Sequence, residues 1–155
     1  MRDSGWFTDV MEHALASGTP VRFRAEGSSM HPTIRDGEVI VAAPVSVADV
    51  VRGDVLLCRH RGRVLAHRLV SIAVDGHLRR FALRGDSQRS SDVLVGADDI
   101  LARIVAVRRR GRSIALPGGP LAHRARLTAA WARRTIVQAI DAYRSIAVRA
   151  ARRRS

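Results

Sequence analysis

The stretch 54-DVLLCRHRGRVLAHRLVSI-72 sets two apolar runs on either side of Gly62. DVLLCRH at 54–60 and RVLAHRLVSI at 63–72 are short, rich in Val, Leu and Ile, and separated by a turn signal, which predicts two β-strands. The same pattern recurs in VRFRA at 21–25, EVIVAA at 38–43, LRRFAL at 78–83, ILARIVAV at 100–107 and SIAL at 113–116. Asp36-Gly37, Gly53-Asp54, Asp75-Gly76, Gly85-Asp86 and Gly96 supply the turns between them. Short strands with such regular punctuation predict a mainly β fold, an antiparallel β-sandwich or partly open barrel.

The flanks read differently. Trp6, Phe7, Val10, Met11 and Leu15 recur near helical spacing, and Gly18 and Pro20 follow, so a short N-terminal helix is expected within 1–18. The β domain then covers 19–117. After 117-PGGP-120 the chain loses Gly and Pro and becomes rich in Ala and Arg. Ile136, Ile140, Tyr143 and Ala147 share one helical face, and Arg133, Arg144, Arg149 and Arg152 lie mostly off it. A long basic amphipathic helix is expected over 118–155.

Composition narrows the chemistry. The chain has 155 residues, 46% of them apolar but only 4% aromatic, so its core must be aliphatic. The net charge of +13 is uneven. Residues 1–102 carry 13 arginines against 13 acids, whereas 103–155 carry 14 arginines against Asp141 alone. Every basic residue is arginine, which stays protonated at any working pH. A lysine base and a Schiff-base lysine are therefore excluded. The single cysteine, Cys58, permits no internal disulfide and no zinc site built on cysteine pairs. It sits in VLLC, which reads as a buried strand, so it is not expected to be a nucleophile. No cofactor or metal is expected. Asp9, Glu12 and His13 interrupt any secretory h-region, and no apolar run reaches transmembrane length, so a cytoplasmic or peripheral membrane location is expected.

The loop 27-GSSMHPTI-34 is the candidate for chemistry. A serine hydroxyl becomes a nucleophile only when a base takes its proton and backbone N–H groups meet the developing oxyanion. Gly27 allows close backbone approach, and Pro32 stiffens the loop. Five of the six histidines lie in helices, turns or the tail, or in the loop itself. His67 instead sits inside an apolar strand, where a polar side chain needs a partner. The loop 85-GDSQRSSD-92 offers Asp86 and Asp92 as carboxylates to orient an imidazole.

These boxes resemble a known family. GSSMHPTI resembles the Ser-Met-x-Pro-Thr nucleophile box of the type I signal peptidases, and IRDGEVIVA and VRGDVLLC resemble the strands and Gly-Asp turns of that superfamily, which includes the LexA-like repressors. RVLAHRLVSI resembles the segment carrying the general base. His67-Arg68-Leu69 matches the endoplasmic-reticulum and archaeal branch, in which the base is histidine rather than lysine. LRGDSQRSSD resembles that branch's Gly-Asp-Asn box. The matches run in consistent order from about Val21 to Arg108.

The resemblance implies Ser29 as nucleophile, His67 as base, Asp92 as the triad acid and Asp86 as a second important acid. Gly27, Ser28, Met30 and Pro32 would form the oxyanion and substrate loop. It further implies cleavage of a precursor or leader peptide after small residues, with no metal. Three departures stand out. Gly27 replaces a serine whose hydroxyl often helps the oxyanion, so backbone N–H groups, including that of Ser29, are expected to serve instead. Ser87 stands where asparagine is usual, and no membrane anchor of the family's kind is expected. An anionic membrane surface is an expected partner for the C-terminal helix; nucleic acid is not. The alternative function is a non-catalytic peptide-binding module on the same shell, with a basic membrane- or nucleic-acid-binding tail.

Overall fold

The computed structural model of the chain describes residues 4–89 and 92–116, with side chains from Thr8 onward. The basic helix expected over 118–155 lies outside the described residues. The fold is mainly β, a curled antiparallel half-barrel preceded by one short helix.

Helix α1 spans Ser4–Ala16. Met11 and Leu15, one turn apart, bury against the core, and the Glu12 carboxylate pairs with Arg59. Gly18, at φ 81°, ends the helix: its N–H donates to the Leu15 carbonyl at 3.0 Å, in a left-handed conformation open to glycine.

Eight strands follow: β1 (Val21–Arg24), β2 (Val39–Ala43), β3 (Val55–His60), β4 (Arg63–Asp75), β5 (Leu78–Arg84), β6 (Val93–Gly96), β7 (Ile100–Arg109) and β8 (Arg112–Ala115). Seven coincide with the expected segments to within a few residues. The eighth, β6, was not expected; it is only four residues long and follows directly on the polar loop. The sheet order is β1-β2-β7-β3-β4-β5-β6, with β8 also paired to β7. β7 is thus inserted between two strands that precede it by about fifty residues.

β3 and β4 pair antiparallel from Val55↔Arg68 to His60↔Arg63, closed by the two-residue turn Arg61-Gly62. Alternate residues of β3 enter different cores. Val55 and Leu57 join Met11, Met30, Ile34, Ile40 and Ile104, while Leu56 and Cys58 join Val50, Leu69, Phe81 and Leu83. Burial on both faces explains why VLLC has no polar alternation. Phe81 is the only aromatic among these fully buried side chains, so the packing is aliphatic, as the composition implies.

The Gly53-Asp54 turn before β3 is pinned from several sides. Asp54 is completely buried, pairs with Arg103 of β7 at 2.9 Å and accepts from the Val51 N–H at 3.0 Å. Its backbone carbonyl accepts from the Leu69 N–H at 2.8 Å. These bonds hold the start of β3 against the middle of β4, where the base candidate lies.

Candidate active site

The loop that carries Ser29 is held at its base and by its apolar residues. The Ala25 N–H donates to Glu38 O and the Gly37 N–H to Ala25 O, each at 2.8 Å. Met30 and Ile34, one turn apart and linked by a 2.9 Å backbone bond, are buried in the first core. Gly27 has φ 90°, and its N–H donates to the Asp36 carboxylate at 2.8 Å. That N–H is therefore engaged, and the Gly27 amide is not offered to an oxyanion. The His31–Pro32 peptide bond is cis. Ser29, between exposed Ser28 and buried Met30, is half-buried with its hydroxyl directed at β4.

His67 lies opposite Leu56 in the β3–β4 ladder and is only 5% exposed. Its Nε2 is 3.2 Å from Ser29 Oγ. Residues thirty-eight apart in the chain therefore meet within the distance that proton transfer requires, about 2.6–3.2 Å. Burial lowers the His67 pKa below the ordinary histidine value, and the charge of Asp86, a smaller influence, opposes that shift. Burial thus favours the neutral imidazole.

The two acids are placed differently. Asp86 lies beneath Arg68, whose Nε and Nη2 reach its carboxylate oxygens at 2.8 and 2.7 Å, and the Thr33 hydroxyl also donates to it. Burial raises the Asp86 pKa, but Arg68 and Thr33 outweigh burial and hold the carboxyl below the usual range, with a further contribution from His67. Asp92 instead pairs with Arg84 at 2.6 and 3.1 Å in an exposed position, and that guanidinium keeps its pKa low. This arrangement departs from the triad implied for Asp92: its carboxylate goes to the nearest cation, not to the imidazole. His67 Nδ1 is buried, and among the described residues nothing accepts a hydrogen bond from it. Asp86 influences the ring through space rather than by a bond.

Sequence reading named Ser87 only as a departure from asparagine and did not foresee that it docks its loop onto the loop of Ser29. The Ser87 N–H and hydroxyl each donate to the Ser29 carbonyl at 2.9 Å, and the hydroxyl also donates to Ser28 O at 3.0 Å. Ser87 thus holds the backbone on both sides of the Ser29 N–H, leaving the Ser29 side chain to His67. Gly85 makes the approach possible: a Cβ there would fall 2.5 Å from the Ser29 carbonyl oxygen. Gly85→Ala is expected to push the two loops apart, costing roughly 1–3 kcal/mol of stability and most of the reactivity of Ser29. Thermal melts and probe labelling of that variant check this. The only sequence signal was the Gly-Asp-Ser run itself.

Cys58 is fully buried, and burial pushes its thiol up to about 12, so it is neither exposed nor ionised. Among the described residues, no three His, Cys, Asp or Glu side chains cluster as metal ligands, and no helix is long and apolar enough to cross a membrane. No protein-family profile matches this chain, and no curated protein matches it.

Proposed function

We propose that this protein is a serine endopeptidase that cleaves a precursor or leader peptide by acyl transfer from Ser29. The observation that carries the reading is the 3.2 Å approach of His67 Nε2 to Ser29 Oγ, with the imidazole buried and biased to its neutral form. In the proposed reaction His67 takes the Ser29 proton as the oxygen attacks a peptide carbonyl. It then returns that proton to the leaving amine, and water hydrolyses the acyl-enzyme by the same route. The backbone N–H of Ser29 is the proposed oxyanion donor, and the Asp86 carboxylate favours the transient imidazolium through space. The signal-peptidase-like fold, the preference for small residues before the cut and the leader-type substrate rest on the resemblance of the four sequence boxes.

A second reading is favoured by one feature. A base tautomer puts the proton on Nδ1, and burying that donor without an acceptor costs about 1–3 kcal/mol. A non-catalytic peptide-binding module needs no such tautomer, because Nε2 can carry the proton and donate it to Ser29 Oγ. Labelling by a serine-directed phosphonate separates the two: the peptidase reacts at Ser29, the module does not react. We further propose that residues 118–155 hold the protein at an anionic membrane surface. Vesicle cosedimentation is expected to show binding to anionic lipid that weakens with salt; equal binding to neutral vesicles would overturn it.

The pH dependence follows from the base. A general base works when unprotonated, so a lowered His67 pKa places the acidic limb of the rate profile below the ordinary histidine value. In Asp86→Asn the anion that raises the His67 pKa is gone and the Arg68 charge is left unbalanced. Each change disfavours the imidazolium, so the acidic limb is expected to move to still lower pH. A limb that moves upward would show that Asp86 does not act on His67.

A further inference from the structure

A second feature adjoins the nucleophile loop on the side of β1, β2 and β7. A cleft of about 510 Å³ is lined by Arg24, Arg35, Arg108, Arg109 and Arg110, with Asp36 and Glu38 as its acids and neither Ser29 nor His67 in its wall. Each acid is already engaged, Glu38 by Arg109 and Asp36 by the Gly27 N–H. Arg24 donates to the Gly37 carbonyl at 2.7 Å. Among the described residues the guanidiniums of Arg35, Arg108 and Arg110 form no hydrogen bond or ion pair, although the Arg35 charge acts on Glu38 through space. Nearby Arg22, outside the cleft wall, has its charge disfavoured chiefly by burial and to a lesser extent by Arg108.

We infer that this cleft binds the side-chain carboxylates of an acidic peptide segment. Planar guanidinium forks match carboxylates in a two-point geometry, and the cleft offers several that no described group occupies. Among the described residues no aromatic side chain lines it as a platform on which nucleotide bases would stack. It also shares hydrogen bonds with the catalytic loop: Arg109 donates to the carbonyls of Pro32 and Thr33 at 3.3 and 3.2 Å, and Asp36 holds Gly27. An acidic stretch seated there lies against the back of the loop that presents Ser29. That this stretch belongs to the cleaved substrate rests on the peptidase reading.

The test uses full-length Ser29→Ala protein, in which binding does not require turnover. A fluorescent oligo-glutamate peptide is expected to bind at least about tenfold more tightly than its oligo-glutamine counterpart, with the difference shrinking as salt rises. Arg35→Ala/Arg108→Ala/Arg110→Ala, all at exposed positions, is expected to erase the preference, while Arg152→Ala/Arg153→Ala/Arg154→Ala retains it. The inference is overturned by equal binding of the two peptides, by loss in the tail variant alone, or by tighter cleft-dependent binding of single-stranded RNA. Loss of peptide discrimination with normal phosphonate labelling of the wild type removes the cleft alone; the converse removes the peptidase alone.

Discussion

Ser29→Ala is expected to eliminate covalent labelling by a serine-directed phosphonate, and His67→Ala to slow labelling on the order of a thousandfold or more. The expectation follows from how the loop is held. Ser29 contributes its carbonyl to the acid loop, through two bonds from Ser87, and its hydroxyl only to His67. Removing the hydroxyl therefore leaves the docking of the two loops in place, and circular dichroism and melting of Ser29→Ala should match wild type. His67→Ala removes the proton acceptor and opens a small buried void, so its folding must be checked by the same measurements. Mass spectrometry of the intact adduct identifies the labelled residue. A wild-type protein that fails to react, or a Ser29→Ala protein that reacts equally, ends the peptidase proposal.

The largest loss of stability is expected at a residue outside the chemistry. Asp54→Ala removes a carboxylate paired with the mostly buried Arg103 guanidinium, which keeps its bond to the Asp49 carbonyl, and removes the acceptor for the Val51 N–H. Breaking one side of a buried pair costs about 3–5 kcal/mol because the surviving charge stays desolvated. For a domain of this size that lowers the melting temperature by on the order of 10–20 °C. Asp54→Asn keeps an acceptor for the Val51 N–H but not the charge, and should fall between wild type and Asp54→Ala. A shift of only a degree or two in Asp54→Ala would show that Arg103 finds another anion. Because the Asp54 carbonyl also receives the Leu69 N–H two residues past His67, the destabilised protein should lose Ser29 reactivity at temperatures below its melting point.

The candidate site was half legible from the residues. Without lysine, a base had to be histidine or a carboxylate, and a histidine inside an apolar strand needs a partner; His67 stood out for that reason. The partner of each candidate acid was not legible. Asp86 and Asp92 lie six residues apart in one polar loop, and nothing local distinguishes them. Arg84 and Arg68 decide where the two carboxylates go, and those arginines reach the loop from different strands. Ser87 was legible only as a departure from the usual asparagine; its contact was not, because it bonds a backbone carbonyl fifty-eight residues away.

What the amino-acid order alone determined is local: where strands start and stop, which segments have two apolar faces, which side chains exist to do acid–base work, and which of them are absent. These follow from turn geometry, side-chain alternation and composition, each acting over a few residues. The tertiary structure decided the rest: the insertion of β7 between β2 and β3, the meeting of the Ser29 hydroxyl with the His67 ring, and the pairing of each acid with its cation. Those outcomes depend on competition among distant partners for the same buried charges and strand edges, and that competition is settled only when the sheet closes.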